Sequence, residues 1–278
     1  MPITDQEIKD LKEKAMQIRM DIVDTTVAAG GAHIGGAMSM VEIMTILYFK
    51  YINVDPSNPQ MEDRDRVVVS KGHAGVGVAP VLANKGYFPK EELMSFNQFN
   101  SPFGMHLDSM KVKGVDISTG SLGHGLPQSV GLALGARTQG KDWKTYCILG
   151  DGECNEGSNW EAAMAASHFK VTNLITFVDR NNLMIDGRTE DVMSLEPFAD
   201  KWTAFGFIVK EINGHDYKEL TEAIDFAHAN TTDKPVLILC NTIKGKGIDF
   251  MEDDVKWHYG SIDSDLAVQA KASIEKMG

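Results

Sequence analysis

The chain has 278 residues, 43% of them hydrophobic, and a formal net charge of -12. That length suits one large α/β domain with a sizeable buried core. The acidity argues against sequence-independent binding to nucleic acid or to an anionic membrane, so a polyanionic ligand would need a metal or local donors.

The N-terminus, "MPITDQEIKDLKEKAMQIRM", predicts a charged helix over 5–28, with Thr4 and Glu7 spaced as a capping box. It has no secretory apolar core, and no apolar run reaches membrane-spanning length, so a soluble, cytoplasmic protein is expected. Helical periodicity continues over 38–52, 74–86, 123–138, 158–169, 216–230 and 265–276. β-rich runs fall at 67–70, 144–149, 173–179, 206–212 and 235–241. From about residue 140, strands and helices alternate, which predicts a mainly parallel sheet with helices on both faces. The first half is helix-rich, with glycine-rich loops "AAGGAHIGGA", "SKGHAGVGV" and "STGSLGHG" expected to gather over one edge of that sheet. The Met-rich helix "MSMVEIMTILYF" reads most simply as core. Cys147, Cys154 and Cys240 form no C-x-x-C pair and suit buried, reduced thiols.

Asp151 lies between two glycines directly after the apolar run "KTYCIL", and Asn181 follows the run "NLITFV". Ligands of open parallel sheets bind outside the carboxyl ends of the strands. A helix over Asn159–His168 would form the crossover between the two strands. If those strands are neighbours, about 5 Å apart, both side-chain oxygens can reach one small hard cation. Mg²⁺ or Ca²⁺ clamped to an anionic cofactor fits that donor set. Taken alone, Asp-Gly is also ordinary turn chemistry.

G-D-G, a gap of 28 residues and then Asn181 resembles the thiamine-diphosphate motif. "RDRVVVSKGHA" at 64–74, "GGAHIGG" at 30–36, "STGSLGHG" at 118–125, "NLMIDG" at 182–187 and "TIKGKG" at 242–247 narrow the resemblance. Together they resemble the N-terminal, diphosphate-binding half of a transketolase over nearly the whole chain. The resemblance implies a thiamine-diphosphate-binding α/β fold and a single diphosphate-binding domain over 1–278. It implies thiamine diphosphate held with Mg²⁺, Ca²⁺ being the other candidate. Asp151 and Asn181 would ligate the metal through side-chain oxygens and Leu183 through its carbonyl. His73 and His258 match diphosphate-facing histidines, with the Gly152 N–H helping. Gly120 and Leu122 would border the aminopyrimidine ring and Ile185 the thiazolium. His33, His106 and His258 match histidines that meet the donor sugar's hydroxyls. Glu156 and Glu161 match acidic residues that link two active sites across the interface between protomers.

The reaction implied is transfer of a two-carbon ketol unit from a ketose to an aldose, with neutral imidazoles handling hydroxyl protons. A single-chain transketolase is more than twice this length. The pyrimidine-binding and C-terminal domains are therefore expected on a partner chain, in an α2β2 heterotetramer acting on small sugars. The competing readings are a deoxyxylulose-phosphate synthase, a 2-keto-acid dehydrogenase α chain and a non-catalytic binding subunit. A dinucleotide-binding oxidoreductase is disfavoured, since no strand leads into a proper G-x-G-x-x-G. His168, His215 and His228 read as structural. His124 stands where the family usually has Gln, and both a substrate-edge change and a neutral swap are open. For Lys244 and Lys246, the cofactor cleft and a solvated loop are both open.

Overall fold

The computed structural model describes residues 2–277. The first helix, α1 (Asp5–Ala29), starts at the expected capping box, where Thr4 Oγ1 accepts from the Glu7 N–H and the Glu7 carboxylate accepts from the Thr4 N–H. It ends at Gly30, whose φ of 72° is the left-handed conformation that only glycine adopts freely. The single helix expected over 38–52 is instead three pieces: α2 (Ile34–Ser39), α3 (Val41–Ile46) and a π-helical turn over Leu47–Tyr51. The break falls at Met40, whose φ of -97° and ψ of 6° leave the helical basin. Met38, Met40 and Met44 are buried, so the Met-rich segment is core as its composition suggests.

Strand β1 (Arg66–Val69) is followed by α4 (Gly75–Lys85) and α5 (Gly125–Thr138). Next come β2 (Thr145–Gly150), α6 (Gly157–His168) and β3 (Leu174–Arg180). A small hairpin, β4 (Leu183–Met184) and β5 (Gly187–Arg188), follows, then the short helices α7 (Thr189–Val192) and α8 (Phe198–Ala204). The chain closes with β6 (Ile208–Asn213), α9 (Tyr217–His228), β7 (Val236–Asn241) and α10 (Ser264–Glu275).

Five strands form one sheet in the order β1-β2-β3-β7-β6, all parallel, as expected. Alternate strand residues feed two cores. Tyr146, Ile148, Ile175 and Phe177 face α1, α3, α4 and α9. Cys147, Leu149, Leu174 and Val178 face α5, α6 and α8. Each of these strands is thus covered on both sides, which explains the near-continuous apolar runs. The register sets Gly150 opposite Asp179 and Arg180 opposite Asn241. Asp151, Asn181 and Thr242 consequently leave the sheet side by side at its carboxyl edge. The glycine-rich loops gather over that same edge. A Cβ at Gly72 would lie 2.5 Å from the Thr119 carbonyl, so the loops after β1 and before α5 touch backbone to backbone. A bridge between Ala32 and Gly260 ties the start of α2 to the segment after β7.

Candidate functional site

Asp151 and Asn181 are both buried at the ends of neighbouring strands. The two are joined through the backbone between them: Asp151 Oδ2 accepts from the Asn182 N–H at 2.6 Å, and Asn181 Oδ1 accepts from the Leu183 N–H at 3.2 Å. Asn182 adopts a φ of 61°, which turns the chain sharply from β3 into the hairpin and brings Leu183 back over the strand ends. Asp151 Oδ1 accepts from the Gly152 N–H at 2.8 Å, so that donor is engaged by its neighbour in this structure. Burial, reinforced by the nearby Asp179, pushes the Asp151 carboxyl up to about 6. A carboxylate held this way gains from any cation brought to it.

Positive and neutral donors surround these oxygens. Lys244 is buried, and its Nζ donates to the Leu183 carbonyl at 2.8 Å and meets His258 Nδ1 at 2.9 Å. Burial lowers its pKa to about 8. Lys246, by contrast, points away and pairs with Glu252 at 3.1 Å. The two lysines of "TIKGKG" therefore separate, one into the site and one out of it. His33, His73 and His258 form a cluster with ring centroids 5.0 to 5.5 Å apart. Burial, then the charge of Lys71, lowers His73 to about 2, and burial with Lys244 lowers His258 to about 3. His33 is also lowered, by burial and then by His106 and Lys244. Its Nδ1 is buried without a hydrogen-bond partner among the described residues.

The remaining candidates lie around this cluster. His106 is exposed and stands against Gly120, where an added Cβ would come within 3.1 Å of its ring. Leu122 is half-buried in the same loop, and Ile185 is 62% exposed at the hairpin tip. Glu156 is the N-cap residue of α6 and Glu161 lies one turn further on, both exposed. His124 sits exposed at the start of α5 and makes no cap bond. His168 is at a helix end against Phe169, and His228 is bonded to Tyr146 Oη at 2.9 Å. His215 bonds Glu42 at 2.9 Å.

Sequence reasoning missed the acids beneath the site. Asp179 is fully buried and pairs with Lys71, while Ser39 Oγ donates to it at 2.5 Å. Glu153 is buried and accepts from Ser70, from the Gly123 N–H at 2.9 Å and from the Gly150 N–H at 3.0 Å. Glu153 thereby staples the ends of β1 and β2 to the loop carrying Gly120 and Leu122. The available signal was a charged residue directly after an apolar strand run, as in "LITFVDR". Among the described residues, no three His, Cys, Asp or Glu side chains group as a metal site. The oxygen set here draws on an amide and a carbonyl instead, a donor set for a hard cation that keeps water or phosphate as its other ligands. An oxygen-lined cation position beside two buried lysines and three imidazoles, with His33 Nδ1 buried and without a partner among the described residues, fits a metal-bound diphosphate.

Residues 11–275 match the family model described as transketolase, thiamine diphosphate binding domain. The chain is 40% identical over 276 residues to the 6-deoxy-6-sulfo-D-fructose transketolase subunit of a Clostridium strain, covering 99% of this chain and 100% of that one. It is also 40% identical over 257 residues to an apulose-4-phosphate transketolase subunit of Phocaeicola vulgatus, covering 91% and 90%. Human transketolase is 34% identical over 268 residues, which are 95% of this chain but 42% of the human one. Among solved structures, the transketolase of Campylobacter jejuni superposes with a TM-score of 0.89 at 32% identity, covering 96% of this chain and 43% of that one.

Proposed function

Because the chain belongs to the family of transketolase thiamine-diphosphate-binding domains, we propose that it is the cofactor-binding subunit of a two-subunit transketolase that moves a two-carbon ketol unit from an anionic ketose to an aldose. The observation that carries the proposal is the convergence of Asp151, Asn181 and the Leu183 carbonyl with Lys244 and three imidazoles at one sheet edge. Asp151, Asn181 and Leu183 would hold Mg²⁺, with Ca²⁺ able to replace it, the Leu183 carbonyl exchanging the Lys244 ammonium for the metal. His73, His258 and Lys244 would hold the diphosphate, joined by the Gly152 N–H if it exchanges Asp151 Oδ1 for a phosphate oxygen. Gly120, Leu122 and Ile185 would border the rings. When bound, thiamine diphosphate supplies the electron sink for the transferred fragment.

The chain's own residues then account for binding and proton handling. His33, His106 and His258 meet the donor's hydroxyls, and the first and last of these are held neutral by burial and by Lys244. A neutral imidazole can accept a hydroxyl proton and return it, the requirement for making and breaking a carbon–carbon bond next to a hydroxyl. Glu156 and Glu161, exposed at the start of α6, would meet a second protomer. Two relatives that match this chain over 90% or more of their own length are themselves named as subunits. A partner would carry the pyrimidine-binding and C-terminal domains, and a cytoplasmic location would suit three buried free cysteines.

The test is to combine the chain with a candidate partner, thiamine diphosphate and Mg²⁺, and assay ketose donors against pyruvate. Ketol transfer is expected. Pyruvate decarboxylation without ketol transfer would move the protein to the keto-acid class.

A further inference from the structure

We propose that Asp179 is the positioning residue of the metal half-site, turning the Asn181 amide so that its oxygen, not its nitrogen, lies on the Leu183 side. The proposal rests on the reading of Asp151, Asn181 and Leu183 as cation ligands. Asp179 is the last residue but one of β3 and is fully buried. Its carboxylate gathers four donors from separate parts of the fold. Oδ2 accepts from Lys71, from Ser39 Oγ at 2.5 Å and from Asn181 Nδ2 at 3.1 Å, and Oδ1 accepts from Thr242. Lys71 belongs to the loop after β1, Ser39 to α2 and Thr242 to the end of β7.

The polarity of this network leaves Asn181 one orientation. An ammonium only donates, and a carboxylate paired with it only accepts. The Asn181 group facing Asp179 must therefore be its NH₂. The other side of the amide, Oδ1, is left to accept from the Leu183 N–H at 3.2 Å, beside the carbonyl-bearing residue of the same proposed set. A flipped amide would set two oxygens against each other in a buried place and leave the NH₂ without Asp179, a costly arrangement. The same logic accounts for one strand ending in Asp and its neighbour in Asn: a carboxylate at 181 would face Asp179 directly. Lys71 extends the effect, because its Nζ also donates to the Gly36 carbonyl at 2.7 Å and it sits two residues before His73. One buried ion pair thus sets the Asn181 amide and anchors the loop of a diphosphate-facing histidine. Removing an outer partner of this kind typically costs about 10–100-fold in metal affinity.

The experiment measures thiamine-diphosphate binding to the full chain combined with its partner, at fixed cofactor and rising Mg²⁺, with melting recorded separately. In Asp179→Asn the Mg²⁺ midpoint is expected to rise about 10–100-fold. That variant leaves Lys71 buried and unpaired, so Ser39→Ala is the second arm. It removes one Asp179 donor and the longer Asn181 Nδ2 contact, at 3.5 Å, without adding bulk. A rise of roughly threefold or more is expected there, below the usual effect of losing such a partner because Asp179 keeps Lys71, Thr242 and Asn181. A folded Asp179→Asn with the wild-type midpoint overturns the proposal, as does an unmoved Ser39→Ala if Asp179→Asn does not fold. Cofactor binding by the wild type that ignores Mg²⁺ would instead remove the metal reading itself, and this proposal with it.

Discussion

Three imidazoles crowded beside two buried lysines have little room for further positive charge. Burial is the largest influence on His33, His73 and His258, and lysine charge acts in the same direction on all three. Each folded-state pKa is therefore below the usual value of 6.5, which the unfolded chain keeps. The sign follows: below about pH 6.5 the unfolded chain binds protons that the folded chain refuses, so stability falls as the solution is acidified. In the cofactor-free protein, the rings of His73 and His258, held at about 2 and about 3, should show no protonation step of their own between about pH 5.5 and 8 when followed by NMR. Titration of His73 near its ordinary value would show that the cluster is open to water and that its rings are not packed as in the structure. These residues were readable in the sequence as parts of motifs. What keeps them neutral was not, because it is burial beside Lys71 and Lys244, and only the fold shows which of Lys244 and Lys246 turns inward.

At the scale of elements, one buried network holds the front of the molecule to the loop that carries Lys244. Arg19 on α1 pairs with Glu42 on α3 at 2.7 Å, and His215, in the turn after β6, joins Glu42 at 2.9 Å. Arg19 Nε also donates to the Lys246 carbonyl at 3.0 Å, and the Ile243 N–H donates to His215 Nε2 at 2.9 Å. Burial works against ionisation of Glu42, but Arg19 and His215 outweigh it and hold its pKa at about 2. A depressed carboxyl contributes stability that is complete above its unfolded value of 4.5 and is lost as pH falls toward 2. Glu42→Gln should remove that acid-side dependence and cost about 3–5 kcal/mol near neutrality, because Arg19 is left buried without its partner. Urea unfolding at several pH values reads both effects. A variant as stable as the wild type at neutral pH would show that the pair is dispensable. The elements themselves were largely open to sequence reading, since each buried strand is an apolar run and each long helix has a face. The break at Met40, the hairpin over 183–188 and the turn of Asn182 were not. They are set by where the chain must pass over the strand ends, and no local period records that. Asp179 was hidden for a related reason: an acid closing an apolar run looks like the end of a strand, and three of its four partners lie far away in sequence.

The whole molecule presents apolar surface around the site it builds. Phe99 is 94% exposed and Met110 is 89% exposed, on either side of the segment that carries His106. Ile185 and Met193 are exposed around the hairpin, and Met164 is exposed on α6, the helix that carries Glu161. Single exposed hydrophobics are ordinary, but several bordering one functional edge mark an association surface. The chain spans 42% of human transketolase, whereas it spans all of a relative named as a subunit. A second polypeptide covering this edge accounts for both facts. Two copies of this chain and two of the partner, related by a two-fold axis near Glu156 and Glu161, would give two sites in a closed assembly. The isolated chain is therefore expected to scatter light as a monomer or a dimer and to show no ketol transfer, while the mixture forms a single larger species that turns over. Replacing Phe99 and Met110 together with serine should weaken the mixed species while leaving the melting of the isolated chain near wild type, because neither side chain is packed in its core. The mass by light scattering and the rate of ketol transfer should rise together as partner is added. Full turnover by the isolated chain would overturn the two-subunit reading, and a mixed assembly indifferent to the double substitution would place the covering surface elsewhere.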